Sequence, residues 1–399
     1  MRNARPHRPR RRRLVLLVAL ELLVIAIGAE LGLRALEGRH AGLRRLLYMP
    51  GVAPDYQKCS SLAELLARAP VPQIPCSPHG DWYLSSKGFK TAEYDEAKAD
   101  GTWRCVVLGD SFTFSAGGVP YRDLLHSRIE LTLEEQLGRD VEAINLGQPA
   151  VGTDFELRLW QLEGARLDAD LVVLAFFVGN DFSDIGGTSA DRSRLDRLAR
   201  RSSLVRLARN LFVRATHGPQ APSPRRELAP AEPGGGCGVP RPVTYPPTRR
   251  PTFDEAQFDE IEIRRMSLCD VDRTDSFEAA FTRAADLLRE LRDAVAASGA
   301  ELVVLLIPDQ FQVDDELRSR LIEVQGRSAD EFDVERPQRR LRELCESAGI
   351  ACVDPLSEFR ARGRDEPLYL PRDTHWNEAG IRIAADLVCA DVLASGIAD

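Results

Sequence analysis

Ser111 is the residue of this sequence whose setting most favours nucleophilic chemistry. It follows the apolar run 104–108 and the dipeptide Gly109-Asp110. A short apolar run without alternation is typical of a strand covered on both faces, and sites in parallel α/β sheets form where such strands end. A serine attacks a carbonyl only when a base takes its proton and hydrogen-bond donors receive the charge on the attacked oxygen. On this stretch alone, the alternative is a serine that caps the next helix.

His375 is the histidine best placed to act as that base. It lies in a loop just before the predicted helix 378–394, and Asp373 stands two residues before it. A carboxylate at that distance can orient an imidazole and stabilise its charged form. The alternative is a purely structural histidine. The other five histidines fall in the N-terminal segments, in a linker or within a helix, so the predicted catalytic residues are Ser111, His375 and Asp373.

Gly147 and Asn180 are the predicted donors to the oxyanion. Gly147 follows the predicted strand 141–146, and Asn180 follows the predicted strand 171–178 in the run Gly179-Asn180-Asp181. A glycine can bring its backbone N–H close to a ligand, and an asparagine amide can donate to the same oxygen. Each residue alone also fits ordinary turn chemistry.

The elements that must position these residues alternate between strand and helix from residue 100 onward. This order predicts a doubly wound α/β fold with five parallel strands and helices on both faces. The predicted strands are 104–108, 141–146, 171–178, 302–307 and 350–353, and the predicted helices are 121–138, 154–167, 277–297, 334–348 and 378–394.

Four short motifs of this chain resemble those of the SGNH, or GDSL-type, hydrolase family. They are Gly109-Asp110-Ser111-Phe112, Gly147, Gly179-Asn180-Asp181 and Asp373-x-His375, in the family order across residues 102–395. The resemblance implies a flavodoxin-like three-layer α/β/α domain, with Ser111 as nucleophile, His375 as base and Asp373 as its partner. It also implies an oxyanion hole formed by the backbone N–H groups of Ser111 and Gly147 and the side chain of Asn180.

The spacing of the acid and the base departs from that family. The family pattern is Asp-x-x-His, whereas one residue separates Asp373 from His375 here, so we expect Asp373 to contribute less than His375. The run Asp-x-His-Trp also resembles that of membrane-linked polysaccharide O-acetyltransferases. Hydrolysis and acyl transfer therefore both remain open.

Composition narrows the classes of partner. The 399 residues carry a formal charge of −8, and the first 13 residues hold seven arginines and no acid, so the remainder carries −15. This balance disfavours a nucleic-acid partner. Neither a C-x-x-C pair nor an H-E-x-x-H motif occurs, so we predict no metal and no cofactor.

The N-terminus predicts a membrane anchor. Residues 1–13 read as a basic cytoplasmic tail, and residues 14–35 as a transmembrane helix, with thirteen Leu, Val and Ile residues between Leu14 and Leu33. Twenty residues span about 30 Å as a helix, which matches a bilayer core. The arginines should stay inside, which places the rest of the chain in the periplasm or outside the cell. The alternative is secretion after cleavage of a signal peptide.

The segments between the anchor and the sheet carry weaker signals. The scattered prolines of residues 36–100 indicate a stem, with a helix predicted at 62–69. Cys59 and Cys76 lie on either side of that helix, and we predict a disulfide between them. Residues 101–399 form the predicted hydrolase domain, interrupted by an insertion at about 184–275. The insertion begins with a basic helical region, 191–215, and continues into a linker rich in Pro and Gly.

Together these features predict a membrane-anchored serine esterase that removes acyl groups from a cell-envelope carbohydrate or lipid through an acyl-enzyme. The first alternative is an O-acyltransferase for an envelope polysaccharide. The second is a non-catalytic envelope-binding protein with the same fold.

Overall fold

The computed structural model describes residues 21, 24–36, 56–115, 118–185, 202–205, 207, 208, 211, 236–241 and 250–398. The chain divides into two compact units. One comprises Met1–Pro54 and Asp191–Pro224, and the other comprises Asp55–Ala190 and Arg225–Asp399. All residues predicted to do chemistry lie in the second unit.

In the first unit, residues 24–36 are helical. The Glu30 carboxylate accepts hydrogen bonds from the backbone N–H groups of Ser203 and Leu204, both at 3.0 Å, and so caps a second helical segment. The basic tail 1–13 and most of the basic region 191–215 lie outside the described residues, as do residues 14–20, 22 and 23 of the predicted anchor. Within the described ranges, no helix has both the length and the apolar character needed to cross a bilayer.

The second unit is built on the predicted five-stranded parallel sheet, which is confirmed. The strands lie side by side in the order Val141–Asn145, Trp103–Gly109, Leu171–Phe177, Glu301–Ile307 and Ala351–Val353. The register pairs Val107 with Asn145, Gly109 with Ala175, and Phe177 with Ile307. The strands are a short antiparallel hairpin of β1 (Pro78–His79) and β2 (Trp82–Tyr83), followed by β3 (Trp103–Gly109), β4 (Val141–Asn145), β5 (Leu171–Phe177), β6 (Glu301–Ile307) and β7 (Ala351–Val353).

Helices cover both faces of this sheet, because the strands carry apolar side chains on both faces. Odd-numbered strand residues such as Val107, Val173 and Leu305 share one core with the helices Leu125–Leu137 and Glu378–Ser395. The opposite face carries Thr153–Leu162, Thr274–Ala296 and Arg336–Ala348. In the described part of this unit, the other α-helices are Leu62–Arg68, Ser111–Phe114, Asp181–Asp184, Glu255–Met266, Gln310–Val313, Asp315–Val324 and Leu356–Arg362.

The segment predicted as a stem packs, from Tyr56 onward, within the same compact unit as the sheet. The ring of Tyr56 meets Phe155 edge to face, with 5.0 Å between centroids. Lys98 forms an ion pair with Asp170 at 2.6 Å. These contacts join residues 56–100 to the helices and strand ends of the domain.

The predicted disulfide between Cys59 and Cys76 is wrong, because Cys76 is bonded to Cys237. Cys59 is fully buried after a 3-10 turn, and its carbonyl accepts a hydrogen bond of 2.9 Å from Arg158 Nε. Residues 236–241 instead run alongside the β1–β2 hairpin, where the N–H of Tyr83 donates to the Val239 carbonyl at 3.1 Å. A segment of the insertion, distant in sequence, thereby reaches Cys76.

The end of the insertion also packs into the domain. The helix Glu255–Met266 contributes Phe258 and Met266 to a small buried cluster with Phe311, Leu321 and Phe332. This cluster lies beyond the main core and fixes the chain that precedes and follows residues 255–266.

Candidate active site

Ser111 lies where the sequence predicted, at the carboxyl end of β3. Gly109 has a φ of +154°, and a side chain there would come within 2.2 Å of Thr113 Oγ1, so the turn out of the strand requires glycine. Asp110 caps the short helix Ser111–Phe114 by accepting from the Phe112 N–H at 2.9 Å. Ser111 is the first residue of that helix and is partly exposed.

The structure brings Ser111, His375 and Asp373 together in one hydrogen-bonded chain. His375 Nε2 lies 2.8 Å from Ser111 Oγ, and His375 Nδ1 lies 2.7 Å from Asp373 Oδ1. The side chains of His375 and Asp373 are 18% and 11% exposed. One ring nitrogen thus faces the hydroxyl and the other faces the carboxylate, which is the arrangement needed for general base catalysis.

The one-residue spacing works because the backbone turns left-handed on both sides of Asp373. Arg372 has a φ of +43° and Thr374 a φ of +70°. Asp373 and His375 flank the left-handed residue Thr374, and their side chains meet at 2.7 Å. A β-branched residue rarely adopts this conformation, which is costly unless the surroundings enforce it.

Regular contacts flank the turn. The N–H of Leu370 donates to the His375 carbonyl at 2.8 Å. Asn377 caps the helix Glu378–Ser395 by accepting from the N–H groups of Ala379 and Gly380 at 2.8 and 3.1 Å. Asp373 and His375 are therefore held between a backbone pairing and a helix cap.

An apolar wall borders the histidine. The ring of Phe112 lies 4.9 Å from the imidazole, 4.1 Å from Phe177 and 5.4 Å from Trp376, measured between centroids. Phe112 and Trp376 are each 2% exposed. This wall excludes water from one side of His375 and strengthens the electrostatic interactions there.

Gly147 packs against Thr113 and Phe114 in the helix that begins at Ser111, but its N–H already has a partner. It donates to Asn145 Oδ1 at 2.8 Å, and the Asn145 amide donates to the Thr113 carbonyl at 3.0 Å. A Cβ at Gly147 would lie 2.8 Å from the backbone nitrogen of Phe114. Glycine is thus required for the close packing of this turn against the helix that begins at Ser111.

Asn180 also lies at the strand ends, with both amide hydrogens engaged. Its Nδ2 donates to Asp110 Oδ2 at 3.2 Å and to Asp184 Oδ2 at 2.9 Å. Asn180 therefore directs its amide at two carboxyl groups, one of which belongs to the Gly-Asp-Ser motif.

Buried acids surround this asparagine. Burial, with smaller contributions from neighbouring carboxylates, raises the pKa of Glu156 and Asp181 well above the usual range. Burial also raises the pKa of Asp110. Burial and the charge of Asp110 raise the pKa of Asp184 to about 7. This side of the site therefore retains protons at a pH where exposed acids are ionised.

Two residues that sequence analysis missed contact the acid–base loop. The Thr252 hydroxyl donates to Asp373 Oδ2. Arg265 Nη2 lies 3.5 Å from Thr374 Oγ1, and its guanidinium lies 4.8 Å from the Phe177 ring centroid. Both residues lie in the predicted insertion, and neither stands in a motif that would have identified it.

Comparisons with known proteins bear on the family. The model of the family described as "SGNH hydrolase-like domain, acetyltransferase AlgX" matches residues 269–399, a range that includes Asp373 and His375. A search of curated protein sequences finds no significant match.

Several solved structures of lipases and esterases are similar to this chain at low identity. A lipase from a goat rumen metagenome is 14% identical, over 72% of this chain and 97% of its own, with a TM-score of 0.39. A lipase/acylhydrolase from Enterococcus faecalis is 14% identical, over 73% and 96%, with a TM-score of 0.34. A catalytic mutant of the acetylxylan esterase Axe2 from Geobacillus stearothermophilus is 10% identical, over 73% and 95%, with a TM-score of 0.37.

The family match agrees with the resemblance drawn from the short motifs. Its matched range begins before β6 and runs to the last residue, so it covers the sheet edge β6–β7 and the acid–base loop. The expected resemblance is confirmed, because residues 269–399 of this chain match the model of the SGNH hydrolase-like domain.

Proposed function

We propose that this protein is a serine esterase that removes acyl groups through an acyl-enzyme on Ser111. The observation that carries the proposal is the hydrogen-bonded chain from Ser111 Oγ through both ring nitrogens of His375 to Asp373. A nucleophile, a base and an orienting carboxylate in this order are the minimal set for acyl transfer through serine.

In the first half-reaction, Ser111 Oγ attacks the ester carbonyl carbon while His375 Nε2 takes the hydroxyl proton. The tetrahedral intermediate then collapses, the bond to the alcohol oxygen breaks, and the same nitrogen returns the proton to the leaving alcohol. In the second half-reaction, water attacks the acyl-enzyme with His375 again as base, and Ser111 is released with a free carboxylic acid.

Three donors near Ser111 are available for the oxyanion. The backbone N–H of Ser111 belongs to the first turn of a helix, where N–H groups lack partners within the helix. The Gly147 N–H and the Asn180 amide are the other two proposed donors, and each must exchange its present acceptor for the oxyanion. Developing negative charge provides the driving force for that exchange.

A second candidate function is transfer of an acetyl group to a sugar hydroxyl. The observation in its favour is the match of residues 269–399 to a family described as an acetyltransferase. The first half-reaction would be unchanged, and a carbohydrate hydroxyl would replace water in the second. The two functions thus differ only in the acceptor that reaches the acyl-enzyme.

We also propose that residues 14–35 anchor the protein in the membrane with the catalytic unit outside the cytoplasm, acting on an acylated envelope carbohydrate or lipid. The arginine-rich tail and the apolar run support this orientation. The Cys76–Cys237 disulfide supports an oxidising compartment. Protease added to intact spheroplasts should digest the catalytic unit, and a protected unit would contradict the orientation.

Turnover by the full-length protein tests these alternatives. We expect it to release acetate from at least one member of a panel of acetylated sugars and lipids, and Ser111→Ala to abolish the release. Mass spectrometry of an added unacetylated sugar shows whether acetyl groups reach that acceptor instead of water. Binding of the panel without turnover in either assay would overturn the proposal in favour of the non-catalytic binder.

A further inference from the structure

The chain that follows the linker is joined to the acid–base loop by backbone hydrogen bonds. The N–H of Thr252 donates to the Pro371 carbonyl at 3.2 Å, and the N–H of Phe253 donates to the Arg372 carbonyl at 3.0 Å. Two residues of the insertion thus lie alongside the two residues that lead into Asp373. The helix Glu255–Met266 begins immediately afterwards and is fixed by the buried cluster that contains Phe258.

The two oxygens of Asp373 have separate partners. Oδ1 lies 2.7 Å from His375 Nδ1, and Oδ2 accepts the hydrogen bond from the Thr252 hydroxyl. The terminal torsion of an aspartate is soft, so a carboxylate held at one oxygen alone can swing out of the plane of the imidazole. A donor on the second oxygen fixes that torsion.

The backbone of the loop also needs external support. Thr374 adopts a left-handed conformation that a β-branched residue rarely takes. The bonds from Thr252 and Phe253 hold the residues before it, and Arg265 contacts its side chain. All of these contacts come from residues 252–265, a stretch that the order of strands and helices marked as inserted.

We propose that Thr252 is a positioning residue: its hydroxyl fixes the Asp373 carboxylate and thereby the orientation of His375 toward Ser111. This inference rests on the proposed acyl-enzyme function. It makes the end of the insertion part of the machinery of the active site, although the residue itself touches neither substrate nor Ser111.

Matched variants of the full-length protein separate the hydroxyl from the bulk of the side chain. Thr252→Val keeps the shape and removes the donor, and we expect kcat on a small aryl acetate to fall about tenfold with KM unchanged, because a hydrogen bond to a charged acceptor is lost. Thr252→Ser keeps the donor and should restore kcat to within about threefold of the wild type. Thr282→Val, which removes an exposed hydroxyl bonded to the Glu278 carbonyl, is the matched control.

A double-mutant cycle identifies the residue through which Thr252 acts. In an Asp373→Asn background, Thr252→Val should cost less than about twofold further, because the group it positions is already altered. A full tenfold loss in that background, or equal kcat values for Thr252→Val and the wild type, would overturn the positioning role.

Labelling of the wild type with a fluorophosphonate probe keeps this inference distinct from the proposed function. A labelled wild type with unchanged Thr252→Val kinetics refutes the positioning role and leaves the esterase intact. A wild type that is neither labelled nor active refutes both.

Discussion

The two sides of Ser111 differ in how far they are assembled for reaction. On the acid–base side, Ser111, His375 and Asp373 already make the contacts of 2.8 and 2.7 Å that proton transfer requires. On the oxyanion side, the Gly147 N–H is bound to Asn145, and the Asn180 amide is bound to Asp110 and Asp184. The proposed proton relay is preformed, whereas two of the three proposed oxyanion donors already have hydrogen-bond acceptors.

This difference indicates that the oxyanion side, and not the acid–base side, must rearrange when substrate reacts. A preformed relay costs no reorganisation when Ser111 attacks. Occupied donors must leave their acceptors, and catalytic hydrogen bonds in unliganded sites often tighten only in the reacting complex. We therefore expect substitutions on the acid–base side to cost more activity than those on the oxyanion side, with surrounding acids affecting stability rather than turnover.

The largest effect should come from the relay itself. Ser111→Ala and His375→Ala should each lower kcat on a small acetyl ester by a factor on the order of 10⁴ or more, and the double mutant should be scarcely worse than either. Steady-state kinetics, with circular dichroism to verify folding, measures both. If the loss of kcat in the double mutant equals the product of the two single losses, the two residues do not act as a unit.

Asp373→Asn should cost less, on the order of 10² to 10⁴ in kcat with KM little changed. The amide keeps the shape but loses the charge that stabilises the imidazolium. Kinetics on the same ester gives the comparison with His375→Ala. A loss as large as that of His375→Ala would mean that the one-residue spacing does not reduce the contribution of the Asp373 carboxylate to catalysis.

On the oxyanion side, Asn180→Ala should lower kcat by roughly 10² to 10³ if the amide turns to the oxyanion during the reaction. The same ester and the same folding control apply. A loss below about threefold would show that Asn180 keeps its bonds to Asp110 and Asp184 throughout, and the two sides of the site would then differ more than we propose.

The smallest effect on activity, and a clear effect on stability, should come from Asp184→Asn. The pKa of Asp184 is about 7 in the folded protein, above its ordinary value of 3.8. Its contribution to stability is therefore fully present below pH 3.8 and is lost as the pH rises from there through 7, at a total cost of roughly 4 kcal/mol. Denaturant unfolding at pH 5 and pH 8 should show that the variant is the more stable protein only at pH 8.

The exposed Asp286 supplies the control for that experiment, because its side chain is 60% exposed and pairs only with Arg289, at 3.5 Å, among the described contacts. Asp286→Asn should leave the pH dependence unchanged. Equal pH dependence in the wild type and in Asp184→Asn would show that Asp184 is already charged in the folded protein at neutral pH.

Sequence patterns were sufficient for the sheet and for the residues at its edge. Buried parallel strands have continuous apolar runs, and their ends meet at one edge, so Ser111, Gly147 and Asn180 were expected to converge. The short spacing between Asp373 and His375 kept those two residues close together.

Contacts between segments distant in sequence could not be predicted in the same way. Cys237 stands in a stretch rich in Pro and Gly without periodicity, and Thr252 directly follows that stretch. The three-dimensional path of the insertion gives each its role. The hydrogen bond from the Gly147 N–H to Asn145 Oδ1 depends on the side-chain rotamer of Asn145. Composition and residue spacing carry no information about that rotamer.

Site-specific labelling tests the central claim most directly. The full-length protein is treated with a fluorophosphonate probe, and the adduct is located by peptide mass spectrometry. We expect a single adduct on Ser111, which is absent in Ser111→Ala and forms ~10³-fold more slowly or worse in His375→Ala, because the serine hydroxyl needs its base to become nucleophilic. A wild type that stays unlabelled, or labelling that proceeds equally fast without His375, would contradict it.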